Sequence, residues 1–348
     1  MKQEQLLARL LPTGGNGFCY SEKEVVERLK ASPVAYGCYD KMRPEWKERF
    51  MNFCLGKKTL PLTYDPFFKK IFHPDVHPKR LSRLISSILR IEVKVKGILP
   101  AEDSMMDGES LLILDILVEL GDGSFADIEI QKSPYAFPAE RMSCYSSDLV
   151  MRQYSRAKWE KGKKFTYKDM KKVYTIVLFE KSTSEFHKIP GAYIHHGEIV
   201  FDTGLELEML QEYFLIALDV FRKFPYPKDR NEQTAWLSLL ATEDVEEAGL
   251  LAEEYPWLEE IYREMAELRT DPEEVLNMYS EALHILDRNT VRYMVEEQQK
   301  EIKQQAQTIN QQAQEIQADN GSYLPFEVSI RGKCCVPVEE NIVCHQIQ

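Results

Sequence analysis

A chain of 348 residues in which 44% are hydrophobic is long enough for one large domain or two smaller ones, with a buried core. The N-terminal sequence MKQEQLLARLLP lacks the apolar stretch of a signal peptide, and no run reaches the roughly 18 to 20 apolar residues that cross a bilayer. Seven cysteines at irregular spacings argue against a disulfide framework. We therefore expect a cytoplasmic protein without a membrane partner.

The net charge of −12 at first argues against binding to nucleic acid, because Lys and Arg provide the affinity for phosphate. The charges are unevenly distributed, however. An acidic block, residues 243–297, holds 17 Asp and Glu against 4 Arg, so the rest of the chain is close to neutral. A basic stripe, residues 151–172, holds nine Lys or Arg against two acids. These segments are either two solvated helix faces or an acidic face and a nucleic-acid-binding face.

The first part of the chain is predicted to be helical. Residues 1–58 carry short helical patterns such as SEKEVVERLK and PEWKERFMNFC, and we expect them to form an extension that packs on the main domain. A helix then opens with Asp65 as N-cap and Pro66 at its first position. A second helix follows, with a core-packing stripe on one face formed by Leu81, Leu84, Ile85, Ile88 and Leu89.

Strand patterns dominate the middle of the chain. The runs IEVKVKGIL, SLLILDILVEL and SFADIEIQK are followed by a helix from about Pro138 to Trp159, and then by VYTIVLF, which is typical of a buried central strand. GAYIHH and EIVFDT suggest a further strand pair. Strands bracketed by helices predict an α/β sheet domain over residues 59–204.

From about Leu205 the pattern is helical throughout, including LEMLQEYFLIALDVFRKF, which predicts a helical C-terminal subdomain over residues 205–297. Heptads with Val or Ile every seven residues and Gln at the second seam position then predict a Gln-rich coiled coil at 298–318. Residues 295–316 would either form a homodimer or a solvated helical tail. Residues 319–348 show no sustained period and are expected to be disordered.

The two strands around Gly-Asp-Gly (121–123) bring acidic residues together. Because side chains alternate between faces, the odd-numbered residues of both strands share one face. If residues 121–123 form a three-residue loop with a Gly in the left-handed region, Leu120 pairs with Ser124 and every pair of numbers adds to 244. Asp115 would then lie opposite Glu129, with β-carbons about 5 Å apart. A two-residue Asp-Gly turn would instead turn Asp115 to the other face.

Like charges that face each other across a sheet are destabilising, and a divalent cation would offset their repulsion. Asp115, Glu129 and the backbone carbonyl of Ile130 could hold Mg²⁺ (or Mn²⁺) with several waters. Gln131 lies on the same face as Glu129 and could orient an attacking water. In the alternative interpretation, Asp115 and Glu129 are edge-strand residues that aid solubility or pair with Lys and Arg, and Asp127 is expected at the surface in either case.

The order of elements and the stretches DPFFKKIF, DIEIQKSPYAFPAERMSCYSSDLVMRQYSR, VYTIVLFEKS and YSEALHILDRNTVRYM resemble the PD-(D/E)XK nuclease family transposases, relatives of bacterial recombination-promoting nucleases. The resemblance implies a restriction-endonuclease-like mixed sheet flanked by helices, and a Mg²⁺-dependent DNA endonuclease. It makes Asp115 and Glu129 the metal-binding acids. Gln131 stands where many members of the superfamily have Lys, and Leu114 stands where they have Pro. A catalytically weak or inactive DNA-binding protein is the alternative, and RNA is a possible substrate.

The remaining candidates surround this hairpin. Asp65 is either a helix cap or an additional acid of the site. The helix after Glu129 and the loop beyond it would contact the DNA backbone, and Gln153 could approach the site. His195 and His196 are interpreted as strand residues without a role. The DNA-binding candidates are Arg141, Tyr145, Arg152, Arg156, Lys158, Lys161, Lys163 and Lys164.

Overall fold

The computed structural model describes residues 21–42, 44–60, 62–63, 65–73, 75–99, 116–132, 139–189, 191–223, 231–277, 299, 302–303, 305–313, 333–338 and 341–346. The chain divides into two units, Met1–Arg288 and Asn289–Gln348. Among the helices of the described ranges, none combines the length and the apolar character needed to cross a bilayer.

The first unit contains a mixed six-stranded sheet flanked by helices, which confirms the predicted α/β fold. The strands have the spatial order β1-β2-β3-β4-β6-β5; β3, β4 and β6 are parallel, and the other neighbouring pairs are antiparallel. The carboxyl ends of β3, β4 and β6 therefore meet at one edge of the sheet. The strands are β1 Val95–Ile98, β2 Ile116–Leu120, β3 Phe125–Gln131, β4 Val173–Phe179, β5 Ile194–Glu198 and β6 Gln211–Ala217.

Helices precede the sheet, cross it and follow it. They are α1 Glu22–Lys30, α2 Pro33–Lys41, α3 Pro44–Cys54, α4 Asp65–Ile71, α5 Pro78–Leu89, α6 Ala139–Lys161, α7 Ser184–His187, α8 Leu218–Phe221, α9 Glu232–Ala241, α10 Val245–Glu254 and α11 Leu258–Glu267. Short 3₁₀ turns occupy Gly162–Lys164, Tyr167–Asp169 and Leu268–Thr270. Val25 and Leu29 of α1 are fully buried in the main core, so the N-terminal helices pack on the sheet domain.

The β2–β3 hairpin has the register predicted from its loop. Ile116 pairs with Ile128 and Glu119 with Phe125, so the paired numbers add to 244 over all four described pairs. The Leu120 N–H donates to the carbonyl of Ser124 at 2.8 Å. Gly123 has a φ of 88°, the left-handed conformation that glycine adopts without a steric penalty. The three-residue loop and its glycine are thus confirmed.

The strand β4 is central and buried along its whole length, as VYTIVLF predicts. The structure differs from the prediction over residues 211–217, where β6 replaces the predicted start of a helical subdomain. The run YFLIA is apolar on both faces of the strand, and periodicity alone cannot distinguish such a run from a buried helix. The predicted partner EIVFDT is likewise not the neighbour of β5, which pairs with β6 instead.

The two faces of the sheet have different coverings. Even-numbered strand residues such as Ile128, Ile176 and Ile216 contribute to the main core, together with the apolar face of α5. Odd-numbered residues pack against α6, whose Tyr145 and Leu149 are fully buried in a second, smaller cluster. The helix α6 thus lies over the face that carries the odd residues of β3.

The second unit is described over fewer residues. Residues 305–313 are helical, and Ile302 and Ile309 are 43% and 45% exposed in the single chain. The coiled coil remains a prediction. Where the sequence predicts a disordered tail, the structure has a two-stranded antiparallel hairpin, β7 Lys333–Val338 and β8 Asn341–Gln346. Six-residue strands rich in Val, Ile and Cys are too short to produce a sustained period.

Replacing Gly123 with Ala should lower the free energy of unfolding by about 1 to 2 kcal/mol, because an alanine in the left-handed region is strained. The added methyl group would only reach ordinary contact with Lys171 Cγ at 3.6 Å, so the cost lies in the backbone. Gly97→Ala is the control, since a β-carbon added there would meet no atom within 4 Å beyond its chain neighbours, and Gly97 has no positive φ. Urea unfolding should show little change for this control; equal losses in both variants would contradict the assignment.

Candidate active site

Glu129 and Gln131 lie together on the face of β3 that α6 covers. Glu129 is 1% exposed, and the Nε2 of Gln131 donates to Glu129 Oε2 at 3.3 Å. Their neighbours on β4 are Val177 and Phe179, both buried and apolar. An acidic side chain is therefore held in low-polarity surroundings at the edge where the parallel strands end.

Asp127 lies on the same face and is fully buried, so the expected surface position is wrong. The strand parity was predicted correctly, but the sequence does not show that a long helix lies over this face. The neighbour of Asp127 on β4 is Thr175, which is also fully buried. Two carboxylates are thus buried two residues apart on one strand, an arrangement that costs free energy unless positive charge or hydrogen bonds offset it.

Tyr145 connects α6 to these carboxylates. Burial raises the pKa of the Tyr145 phenol well above its usual range, and the nearby charges of Glu129 and Asp127 raise it further. The phenol is therefore protonated at neutral pH. Its oxygen accepts a hydrogen bond from Arg141 Nε at 3.1 Å, and the Arg141 guanidinium lies 5.0 Å from the ring centroid. A fully buried phenol cannot contact a DNA backbone at the surface, and its oxygen is instead a hydrogen-bond partner of Arg141.

The other residues predicted for the metal site are Asp115, Asp65 and Ile130. Asp115 lies outside the described residues, directly before β2. The helix α4 begins at Asp65, and the predicted role of the Asp65 side chain lies outside what the structure describes. The side chain of Ile130 packs into the main core on the opposite face, so its backbone carbonyl is the part that could face a cation.

Glu180, which follows β4, adds a buried ionic network to the end of β3. Its N–H donates to the carbonyl of Gln131 at 2.8 Å. Its carboxylate accepts hydrogen bonds from Arg49 Nη1 at 3.1 Å and from Thr63 Oγ1 at 2.8 Å. Arg49 also pairs with Glu243. The backbone of Gln131 is therefore tied to the N-terminal helices and to the start of the acidic block.

Trp46 of α3 brings two cations to the same edge. The Arg49 guanidinium lies 4.4 Å from the Trp46 ring centroid, and Lys132 Nζ lies 5.6 Å from it. Trp46, Arg49 and Glu180 are not among the site residues predicted from the sequence. PEWKERFMNFC indicates only a helix, and no local signal connects it to a motif about 80 residues further along the chain.

The arginines in the second half of α6 are already paired. Arg152 Nε donates to Asp148 at 2.6 Å, and its side chain is only 10% exposed. Arg156 bridges Glu119 at 2.7 Å and Glu160 at 3.0 Å. The Arg156–Glu119 pair joins the helix to β2, and the other two pairs lie within the helix. Together they compensate much of the positive charge that the sequence assigns to this face.

The lysines at the end of α6 have a different environment. Lys158 donates to Tyr154 Oη at 3.2 Å, and Lys161 pairs with Asp169 at 2.5 Å. Lys163 and Lys164 lie in the 3₁₀ turn after α6; both are exposed, and neither has an ion pair within the described residues. The exposed positive charge of the basic stripe is therefore concentrated beyond the helix.

Gln153 lies at the hairpin loop and not beside Glu129. Its Nε2 donates to the carbonyl of Gly123 at 3.1 Å, and its Oε1 accepts from the Lys171 N–H at 2.7 Å. The side chain is 4% exposed. The expected approach of Gln153 to the site is therefore wrong, because α6 runs from the site towards the opposite end of β3.

A second group of possible metal ligands lies on the other face of the sheet. Donor atoms of His196, Glu198 and Glu212 are all within 4.8 Å of one another. Phe214 of the main core is the neighbour of His196, which places this cluster away from Glu129. Glu212 already accepts from His196 Nε2 at 3.2 Å and pairs with Lys172. His196 is thus part of a polar cluster, although the sequence assigns it no role.

A family model described as PD-(D/E)XK nuclease family transposase matches residues 62–293. The match covers the six-stranded sheet, α6 and most of the acidic block. No curated protein and no solved structure matches the chain significantly.

Gln153→Ala should lower the free energy of unfolding by about 1 to 3 kcal/mol, because the Gly123 carbonyl and the Lys171 N–H both lose their hydrogen-bond partner. Met151→Ala on the same helix is the control, since Met151 is 47% exposed and should change stability by less than about 0.5 kcal/mol. Urea unfolding of both variants measures the difference. An unchanged Gln153→Ala variant would show that these bonds contribute nothing net.

Proposed function

Because the chain belongs to the PD-(D/E)XK nuclease family transposases, we propose that it is a metal-dependent endonuclease that hydrolyses phosphodiester bonds in DNA, of the type found in mobile elements and recombination. The observation that carries the proposal is the burial of Glu129, hydrogen-bonded to Gln131, under α6 at the carboxyl end of β3.

The oxygen donors of this site are those that Mg²⁺ and Mn²⁺ prefer. We propose that the β2–β3 pairing continues by one pair, so that Asp115 stands opposite Glu129 and both hold the ion together with the Ile130 carbonyl. The negative charge of the buried Glu129 and Asp127 supports cation binding. When bound, such an ion acidifies a water and neutralises charge that develops on the phosphodiester.

The protein residues would perform the remaining steps. Gln131, held by its bond to Glu129, would orient the attacking water through its amide. A Gln has no charge to offer, so positive charge near the scissile phosphate must come from elsewhere. Arg141, held by the Tyr145 oxygen, is the candidate on the α6 side, and Lys132 is the candidate at the end of β3.

DNA binding would use the exposed part of the basic stripe. Lys158, Lys161, Lys163 and Lys164 are all exposed at the end of α6 and in the following turn. Arg156 is 36% exposed and could exchange a carboxylate partner for a phosphate. Such contacts position the DNA backbone without reading its sequence. A homodimer formed through residues 295–316 would carry two such sites. We expect the protein to act in the cytoplasm.

A catalytically weak DNA-binding protein is the second candidate. One observation favours it: Gln131 occupies the position at which many related nucleases have a Lys, and a Gln cannot donate a proton to the leaving group. Both functions would use the lysines of the basic stripe to bind DNA, but only the nuclease would need Asp115 and Glu129 as metal ligands.

Asp115→Ala and Glu129→Ala should each lower the rate of DNA cleavage by about 100-fold or more, because either change removes a metal ligand. DNA binding should change less than about 2-fold, since neither residue belongs to the basic stripe. Plasmid nicking with Mg²⁺ or Mn²⁺ measures the first quantity, and binding in EDTA measures the second. Equal trace cleavage by wild type and both variants would leave the binding protein as the function.

Gln131→Lys should raise the cleavage rate, by roughly 10-fold, because a Lys adds positive charge and a proton donor beside Glu129. Gln131→Leu, of similar size and without the amide, should lower it. Single-turnover cleavage with saturating protein compares the three proteins at the chemical step. If the leucine variant cleaves as fast as wild type, the Gln131 amide does not contribute to the chemical step.

A further inference from the structure

Two aromatic side chains beyond the active site are exposed to solvent. Trp159, in the last turn of α6, is 85% exposed, and Tyr167, in the second 3₁₀ turn, is 78% exposed. Large rings are normally buried because their transfer out of water is favourable. Tyr and Trp are enriched at surfaces that bind partners, because their rings combine an apolar body with a polar group.

The Tyr167 ring contacts two other aromatic rings. Tyr154 of α6 stacks on it at 6.2 Å with an interplanar angle of 16°, and Phe165 meets it edge-on at 5.8 Å. The Asp169 carboxylate accepts the Thr166 N–H at 2.7 Å and closes a capping box around the turn. The ring contacts and the capping box limit the conformations of the turn that carries Tyr167, which reduces the entropy lost when a flat ligand binds.

Three exposed lysines lie close to these rings in the sequence. Lys163, Lys164 and Lys168 are exposed, and none of the three has an ion pair in the parts of the chain that the structure describes. The arginines of the same stripe, by contrast, are paired with carboxylates. A partner with flat apolar groups and many negative charges would match both properties of the surface.

We propose that Trp159 and Tyr167 stack on unpaired bases of single-stranded DNA, while Lys163, Lys164 and Lys168 bind the phosphates that connect them. We call these five residues the aromatic–basic platform. Nucleic acid bases have a flat face that stacks on aromatic rings, but duplex bases already stack on each other and cannot offer that face. The inference rests on the proposed function only in taking DNA as the ligand.

The platform lies at a defined distance from the active site. Trp159 is fourteen residues after Tyr145 on the same helix, which corresponds to roughly 21 Å along its axis. This distance equals about six nucleotides at the 3.4 Å spacing of a duplex strand. The preferred substrate is therefore DNA in which an unpaired stretch lies about that far from the cleaved bond.

The test measures binding in EDTA, where no cleavage can occur. Fluorescence anisotropy compares a labelled single strand with a duplex of the same length and sequence, for wild type and for Trp159→Ala/Tyr167→Ala. The double variant should bind the single strand roughly 10-fold more weakly or worse, and the duplex within about 2-fold of wild type. Trp159→Phe/Tyr167→Phe should retain most of the affinity, because a phenyl ring still stacks.

Two further variants serve as controls. One tests the contribution of positive charge to binding, and the other tests whether any surface substitution weakens binding. Lys163→Ala/Lys164→Ala should weaken single strand and duplex alike and reduce the salt dependence of binding. Val200→Ala, at a residue that is 77% exposed and outside the basic stripe, should change neither affinity. These outcomes do not depend on Asp115 or Glu129, so a nuclease test that fails leaves them unaffected.

Four results would overturn the inference. One is an equal loss of single-strand and duplex affinity when the rings are removed, and another is no loss at all. The third is a wild-type protein that binds the single strand no better than the duplex, and the fourth is a wild-type protein that binds an acidic peptide of the same charge as well as the single strand. Any of these would show that the exposed rings do not recognise unpaired bases.

Discussion

The packing of α6 across the odd-numbered face of β3 is the contact on which the candidate site depends. Leu149 and Tyr145 bury this face together with Val177 and Phe179. Without the helix, Glu129 would be a solvated strand residue, and such carboxylates are common on exposed sheets. Under the helix it is a buried charge, which must be offset by a partner. The apolar contacts of α6 therefore create the electrostatic demand that a cation could satisfy.

The start and the end of α6 carry different groups of residues. Near its start, Arg141 lies against the Tyr145 phenol beside the carboxylates. At its end, Trp159 and the lysines beyond it face solvent. Between them, Arg152 pairs with Asp148 of the same helix, and Arg156 pairs with Glu119 of β2. Net charge alone would hide this division, because the acidic block outweighs the lysines over the whole chain.

Distant parts of the chain meet at the end of β3. The Glu180 carboxylate accepts hydrogen bonds from Arg49 and Thr63, and the Glu180 N–H donates to the Gln131 carbonyl. Partly buried, geometrically close ion pairs of this kind contribute more than exposed ones, and removing one partner leaves the other charge uncompensated. The N-terminal helices are thus part of the support for Gln131, so the nuclease-like core cannot be defined by the strands and α6 alone.

The sequence by itself determined the α/β class, the buried strand β4 and the register of the β2–β3 hairpin, because strand alternation and a Gly-containing loop are local properties. It failed for β6, since an apolar run fits a buried strand or a helix equally well. Only the tertiary structure decided that Asp127 and Tyr145 are buried and that Trp46 and Arg49 lie near Gln131. Burial and long-range pairing depend on which elements pack together, and no short stretch of sequence carries that information.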